Sequence, residues 1–190
     1  MTSIPSSINK VFWGLILVLI DINIIIIDIL PDIIGYFIVV SGLNQLLTYS
    51  SYFAKSRGFA ICLALLSLVT IFQGPAIPLD EFSLSNMSLI VMVISTVVGI
   101  LHLFMVYYVI HGLIVMADKE GFMLFAKSAK KRAFLYVIGT FASLATAPFF
   151  MNVEDSTGFY IIGLSAITAI IMEIIILVLL RQFRRRFLTV

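Results

Sequence analysis

The chain has 190 residues, of which 62% are hydrophobic and 12% are charged, and its formal net charge is +2. Soluble domains are about half apolar and about a quarter charged, and a domain of this length buries only about 70% of its surface on folding. The composition therefore excludes an ordinary soluble domain and indicates that the chain needs lipid as its solvent.

Six apolar runs follow one another along the chain, and each is long enough to cross a bilayer as a helix. They cover about residues 11–30, 33–50, 59–78, 88–117, 133–150 and 159–180. Six spans of about 20 residues use most of the chain, so the sequence predicts one integral membrane domain over residues 1–190. No alternating barrel pattern is visible, and the predicted fold is therefore an all-α transmembrane six-helix bundle.

The segments between the runs alternate in charge. If the N-terminus lies in the cytoplasm, all 12 lysine and arginine residues fall inside and the outer segments carry acids. Bacterial and eukaryotic spans obey this positive-inside rule. The sequence thus predicts a multi-pass protein of the plasma membrane with both termini in the cytoplasm.

The breaks between the spans differ in length. Residues 30–32 form the shortest break, and its proline disfavours helix at the residue before it. The polar and basic segments 50–58 and 118–132 are both predicted to be loops. The fourth span would reach about 45 Å as a helix, so we expect it to tilt or to project into the cytoplasm.

The spans also pair into three hairpins of the same orientation. Each outward span ends near a proline, and each returning span carries strongly polar residues, namely Asn44 with Gln45, then His102, then Glu173. Three parallel copies of one hairpin would explain this pattern. Basic ends and terminal prolines are also common to any six-span protein, so both explanations stay open.

Ionisable groups in the apolar core cost at least about 2.5 kcal/mol each, so they need a reason to be there. Asp21 lies in the middle of the first span, and Asp28 and Asp32 follow it at helical spacing, which predicts an acidic stripe on one helix face. The candidate intramembrane polar site comprises Asp21, Asp28, Asn44, His102 and Glu173.

This site has two interpretations. The carboxylates could bind a cation or exchange protons while His102 titrates beside them. Alternatively, one protonated carboxyl could join helices by a hydrogen bond to His102 or Asn44. Ser95 and Gly99 share the His102 face, and Gly139 and Ser143 form a similar pair, so we expect these faces to contact other helices.

Two cytoplasmic segments combine basic and aromatic residues. Both are predicted to lie against anionic headgroups. The first combines Phe122, Met123, Leu124 and Phe125 with Lys127, Lys130, Lys131 and Arg132, and the second combines Phe183 and Phe187 with Arg184, Arg185 and Arg186. Membrane lipids are the expected partners, and a second copy of the chain or a membrane or cytoplasmic protein is the alternative. Nucleic acid is not expected, because lipid already accounts for these charges.

No catalytic or cofactor motif is present. The sequence contains no zinc-protease, serine-hydrolase or phosphate-loop motif, and its two histidines and midplane acids do not stand at metal-ligand spacing within a helix. We therefore expect no enzyme, cofactor or metal. The single Cys62 lies in an apolar run and is predicted to be a small buried filler.

The first hairpin carries a family resemblance. The stretch from Asp28 to Tyr36, followed by Ser41-Gly42-Leu43, resembles uncharacterised small multi-pass membrane proteins of low-GC Gram-positive bacteria. That family implies a bacterial origin and no particular activity. In size and topology the chain is also similar to the substrate-binding subunits of energy-coupling-factor vitamin transporters, although its first span lacks their alanine-rich docking face.

Three functions are compatible with these patterns. The first hypothesis is a small transporter or permease with a polar intramembrane site. The alternative is a non-catalytic membrane adaptor or immunity-type protein acting through its basic cytoplasmic loops, and a lipid-modifying enzyme is third. A polar cavity near Asp21 and His102 would favour transport, whereas a dry bundle would favour the adaptor.

Overall fold

The computed structural model describes residues 4–21, 30–70, 89–146, 149, 153 and 155–188. Within these residues it contains six α-helices and no strands, so the predicted all-α class is confirmed for the described part of the chain. The helices are α1 (Ile4–Asp21), α2 (Leu30–Leu46), α3 (Ser51–Thr70), α4 (Leu89–Lys119), α5 (Met123–Ala145) and α6 (Asp155–Phe187).

The six helices form a closed ring. Each helix packs against the next one along the chain, and α1 packs against α6. Ser7 near the start of α1 donates a hydrogen bond to Gln45 near the end of α2 at 2.7 Å, and Arg132 in α5 donates to Gln182 in α6 at 2.8 Å. These bonds show that α1 and α2 are antiparallel, and so are α5 and α6. We call the end that carries Lys10, Lys55, Arg57 and the lysines and arginines from position 119 onward the basic end.

Glycines bring α1 and α2 into backbone contact. A Cβ atom at Gly14 would lie 2.6 Å from the Gly35 carbonyl oxygen, and one at Gly42 would lie 2.8 Å from the Ser7 carbonyl oxygen. Any larger residue would force the two helices apart. Sequence analysis named other small residues and missed these, but Gly99 and Gly139 do lie at contacts, against Leu144 and Met172 respectively.

The interior next to the basic end is filled with apolar side chains. These buried residues include Met105, Val109, Ile110, Leu113 and Ala117 of α4, Ala126, Ala129 and Ala133 of α5, and Ile176, Leu180 and Phe183 of α6. The alanines recur every three or four positions, so α5 lays a narrow face against the core. This half of the bundle leaves little room for a ligand.

Two predicted loops are wrong, because helix begins earlier than the apolar runs do. The segment 51–58 belongs to α3, where buried Ser56 donates to the Met105 carbonyl oxygen at 2.9 Å. Most of 118–132 belongs to α4 and α5, which are separated only by Glu120, Gly121 and Phe122, and Gly121 has a φ of 82°. The Phe122 N–H then bonds the Ala117 carbonyl oxygen at 2.8 Å, as in a Schellman cap, and α5 begins at the next residue.

The break between the first two spans also differs from its prediction. Helix α2 begins at Leu30, and Pro31 lies in its first turn, where no backbone donor is needed. Asp32 therefore belongs to α2, and it cannot share one continuous helix face with Asp21 at the end of α1. Asp28 and the side chain of Asp21 lie outside the described residues, as do Pro75 and Pro148.

Two of the helices are long and apolar enough to cross a membrane. They are the stretches Val93–Lys119 of α4 and Ser156–Phe187 of α6, whereas Ile4–Ile20 and Asp32–Leu46 are shorter apolar helices. Helices α3 and α5 carry basic residues near their starts, which lowers their hydropathy. Large apolar side chains of α6, among them Phe159, Leu164, Ile167, Ile171 and Ile174, are exposed.

Candidate functional site

A cavity of about 570 Å³ occupies the middle of the bundle and extends away from the basic end. Its walls come from the second halves of α1 and α5 and from the first halves of α2, α4 and α6. Most of the lining is apolar, including Leu15, Val18, Leu19, Ile94, Val98, Leu144 and Ile170. Small side chains on α4, α5 and α6, such as Ser95, Gly99, Ser143 and Ala169, leave the space open.

His102 joins three helices at the border of this cavity. Its Nε2 atom lies 3.0 Å from Oε1 of Glu173 on α6, and its Nδ1 atom lies 3.2 Å from the hydroxyl of Tyr36 on α2. Only 15% of the His102 side chain and 13% of the Glu173 side chain are exposed. The three helices that return towards the basic end thus meet at one imidazole in the centre of the ring.

Helix α5 adds a fourth member to this network. The hydroxyl of buried Tyr136 donates to the same Glu173 Oε1 atom at 2.9 Å. We call Tyr36, His102, Tyr136 and Glu173 the central network. It joins four helices through three hydrogen bonds, and it includes both a titratable imidazole and a titratable carboxyl.

The hydrogen-bond partners restrict where protons can lie. One proton must lie between Nε2 of His102 and Oε1 of Glu173, because neither lone pair can bond the other without it. If the imidazole is neutral and holds that proton, Nδ1 accepts from the Tyr36 hydroxyl. If Glu173 holds it, Nδ1–H donates to Tyr36 instead. The same heavy-atom positions therefore accommodate a proton on either partner.

Two further polar residues belong to the cavity wall. Asp32 lies one helical turn before Tyr36 and interacts electrostatically with His102. Thr140 lies one turn after Tyr136, and its buried Oγ1 is close to that phenol without hydrogen-bond geometry to any described residue. These side chains extend the polar surface of the central network into the cavity.

The lining is unbalanced in charge. Its carboxyl and imidazole side chains among the described residues are Asp32, His102 and Glu173, and none of the chain's lysines or arginines lines it. Two carboxyl groups therefore face at most one positive charge, that of a protonated imidazole. In a low dielectric such an excess of carboxylate is costly unless a proton or another cation joins it.

The structure brings together two of the five residues predicted for the polar site, His102 and Glu173. Asn44 lies elsewhere, since its Oδ1 accepts from Arg57 at 3.0 Å near the basic end, about 12 Å along α2 from Tyr36 at the rise of a helix. Asp28 and the side chain of Asp21 lie outside the described residues. The functional role of all five stays a prediction.

Sequence analysis missed the two tyrosines. Tyrosine in membrane proteins is usually assigned to the interfacial belt, and both residues stand within apolar runs. A usable signal was present, because Asp32 and Tyr36 are four residues apart, and so are Tyr136 and Thr140. Such pairs place two polar groups on one helix face. Asp32, Tyr36 and Thr140 line the cavity, and Tyr136 is buried and bonds to Glu173 of the lining.

At the basic end, some of the side chains predicted to lie against headgroups are buried. Phe183 and Phe187 are buried, and Phe125 packs edge-on against Phe183 at 4.7 Å between ring centroids, so these rings join the core and do not face headgroups. The prediction that Phe183 and Phe187 face headgroups is wrong, because the rings find apolar partners across the α5–α6 contact, whereas Met123 and Leu124 are exposed as predicted. Exposed positions are occupied by Lys127, Lys130, Lys131, Arg185 and Arg186, while Arg132 and Arg184 are half-buried. Cys62 is exposed, which corrects its prediction as a buried filler.

Comparisons with known proteins find no similarity: no family model, no curated protein and no solved structure matches the chain. The resemblance of the first hairpin to small bacterial membrane proteins therefore stays a prediction.

Proposed function

We propose that the chain is a small multi-pass membrane protein of the transporter or permease type. In this proposal the cavity holds a solute and the His102–Glu173 pair exchanges protons as the solute binds and leaves. The observation that carries the proposal is the central network, which places a titratable pair against a cavity of about 570 Å³ inside an apolar bundle.

The proposal includes six spans with both termini in the cytoplasm. Large apolar side chains are exposed on all six helices, among them Trp13, Phe37, Leu65, Val97, Phe141 and Leu164. A water-soluble protein rarely exposes such a continuous apolar surface, whereas lipid solvates it at no cost. The basic end then faces the cytoplasm, because lysine and arginine are retained on that side.

Proton exchange accounts for features that simple helix pairing does not require. One hydrogen bond between neutral side chains is enough to join two helices, but here an imidazole and two carboxyl groups face one cavity. Histidine changes its charge near neutral pH. Its proton can pass to Glu173 over 3.0 Å without movement of either helix, so occupancy of the cavity can be coupled to a proton.

Purified protein in liposomes tests the proposal. A potassium diffusion potential, set up with valinomycin, should drive proton entry that an entrapped pH-sensitive dye records. Glu173→Gln should reduce this entry to the rate of protein-free liposomes, because the amide cannot exchange a proton. The matched control is Glu120→Gln, an exposed acid at the end of α4, which should behave like the unchanged protein. Equal rates in both variants would remove the central network from the function.

A labelling experiment tests the orientation separately. Arg185→Cys, in a chain whose exposed Cys62 is replaced by serine, should react with a membrane-impermeant maleimide only after cells are permeabilised. Ser156→Cys is the counterpart, since it is exposed at the opposite end of the same helix and should react in intact cells. Reaction of Arg185→Cys in intact cells would contradict the proposed topology.

A further inference from the structure

We infer that the cavity binds an organic cation with an apolar body, such as an amine or a quaternary onium group carrying hydrocarbon substituents. This inference rests on the proposed function, because it names the class of solute for the same site. It is carried by the lining, in which carboxyl groups outnumber positive charges and apolar walls surround them.

The charge of the lining selects the sign of the ligand. Asp32 and Glu173 supply two carboxyl groups, and His102, the one described residue of the lining that can carry a positive charge, is already bonded to Glu173. An anion would meet carboxylates with no lysine or arginine to hold it. Both carboxyl groups interact with the one imidazole of His102, so a cation would offset the excess of acidic over basic side chains in the lining.

The lining of the cavity suits an organic cation better than a metal ion. Calcium takes six to eight oxygen ligands, and magnesium keeps several waters. No group of three or more histidine, cysteine or acidic side chains among the described residues is placed to hold a metal. Leucine, valine and isoleucine side chains on α1, α4, α5 and α6 instead provide apolar contact, which rewards burial of hydrocarbon.

The size of the cavity fits this class. Sites for drug-sized molecules usually measure about 300–1,000 Å³, and this cavity measures about 570 Å³. Asp32, His102 and Glu173 lie together at the central network, so a single charged group at one end of the ligand would face them.

Tetraphenylphosphonium is a suitable probe, because tetraphenylborate has nearly the same shape and the opposite charge. Full-length protein in lipid nanodiscs would be tested by equilibrium dialysis with each radiolabelled ion, and empty nanodiscs would give the lipid background. We expect saturable binding of the phosphonium and none of the borate. Asp32→Asn and Glu173→Gln should each weaken phosphonium binding at least about tenfold, which corresponds to 1.4 kcal/mol.

Ala169→Phe provides a test that leaves all charges in place. Ala169 lines the cavity on α6, so a phenyl ring there should block the probe while the central network stays intact. Glu120→Gln again serves as the control and should bind the phosphonium as tightly as the unchanged protein. Size-exclusion profiles and thermal melting would establish that each variant is folded before its binding is compared, and Ala169→Phe still decides the matter if a charge variant fails to fold.

The outcomes separate this inference from the proposed function. Equal binding of both ions, or binding that survives Asp32→Asn and Ala169→Phe, would overturn the inference even if proton entry into liposomes depends on Glu173. Charge-selective binding that Ala169→Phe removes would support the inference even if no proton entry is measured. In that case the cavity would be a binding site in a protein that does not transport.

Discussion

The two halves of the bundle are built from the same six helices, but one half has a filled interior and the other contains a cavity. Next to the basic end, α4 turns Met105, Val109 and Leu113 inward, and these side chains fill the interior. In the other half the same helix turns Ser95 and Gly99 towards the interior, and a cavity remains. The overall hydrophobicity of the chain therefore says little about where a site can form, and the size of a few inward-facing side chains decides it.

Polar side chains also find different partners in the two halves. At the basic end they pair between neighbouring helices, as Ser7 does with Gln45 and Lys10 does with Ser41 at 3.3 Å. In the cavity half, His102 reaches across the ring to α2 and α6. Local pairs fix the registry of adjacent helices, whereas His102 joins helices that are not neighbours in the ring.

The largest expected effect lies in the packed half, at the contact between α1 and α2. Gly42→Leu should lower the free energy of unfolding by more than about 3 kcal/mol, because its Cβ would meet the Ser7 backbone oxygen at 2.8 Å. Gly58→Ala is the control, since nothing lies within 4 Å of its added methyl group. It should leave stability unchanged or raise it by about 0.5–1 kcal/mol through helix propensity.

Both variants can be compared by titration with a denaturing detergent in lipid bicelles. If Gly42→Leu unfolds at the same detergent fraction as Gly58→Ala, the backbones of α1 and α2 do not approach each other closely at Gly42.

Truncation of matched leucines compares the two halves directly. Leu113→Ala removes a fully buried side chain from the packed half and should cost about 3 kcal/mol. Leu144→Ala removes a half-buried side chain that already borders the cavity, so it should cost about 1 kcal/mol. The same detergent titration measures both, and equal losses would mean that the two halves are packed to the same density.

The division between the halves could be predicted only in part from the sequence. Hydropathy and charge correctly indicate the helices and gather the basic residues at the turns that form one end. They fail at helix starts, because amphipathic turns such as Ala126–Ala133 look like polar loops when lysines intervene. These turns are helical because a narrow face of alanines packs against the core. Hydropathy averaged over many residues does not detect so narrow a face.

The two ionisable residues at the centre of the candidate site were predicted from the sequence, but the tyrosines that bond to them were not. His102 and Glu173 stood out because ionisable groups at depth need partners, and they are indeed 3.0 Å apart. Their partners Tyr36 and Tyr136 come from two other helices, 66 and 37 residues away along the chain. Which helices meet at the centre depends on the order of the ring, and no pattern within a single helix contains that information.

A smaller effect is expected in the central network. Tyr136→Phe removes the hydroxyl that donates to Glu173 and should lower the free energy of unfolding by about 0.6–1.7 kcal/mol, the usual cost of one interhelical hydrogen bond in a membrane. Tyr160→Phe removes an exposed hydroxyl on α6 and should have no effect. Identical stability of the two variants would show that the Tyr136 hydroxyl contributes nothing to the fold.

The smallest effect is expected at the basic end itself. Lys130→Gln breaks the contact with Asp118 at 3.3 Å, but both side chains are largely exposed, at 58% and 41%, so the loss should be below about 0.5 kcal/mol. Lys127→Gln, which changes the same charge at a neighbouring exposed position, should match it within error. A loss above 1.4 kcal/mol for Lys130→Gln alone, a tenfold change in the folding equilibrium, would mean that this pair is a structural contact. If instead both losses are small, the basic residues act mainly when the helices insert, by holding their ends in the cytoplasm, and the stability of the folded bundle rests on its packed half.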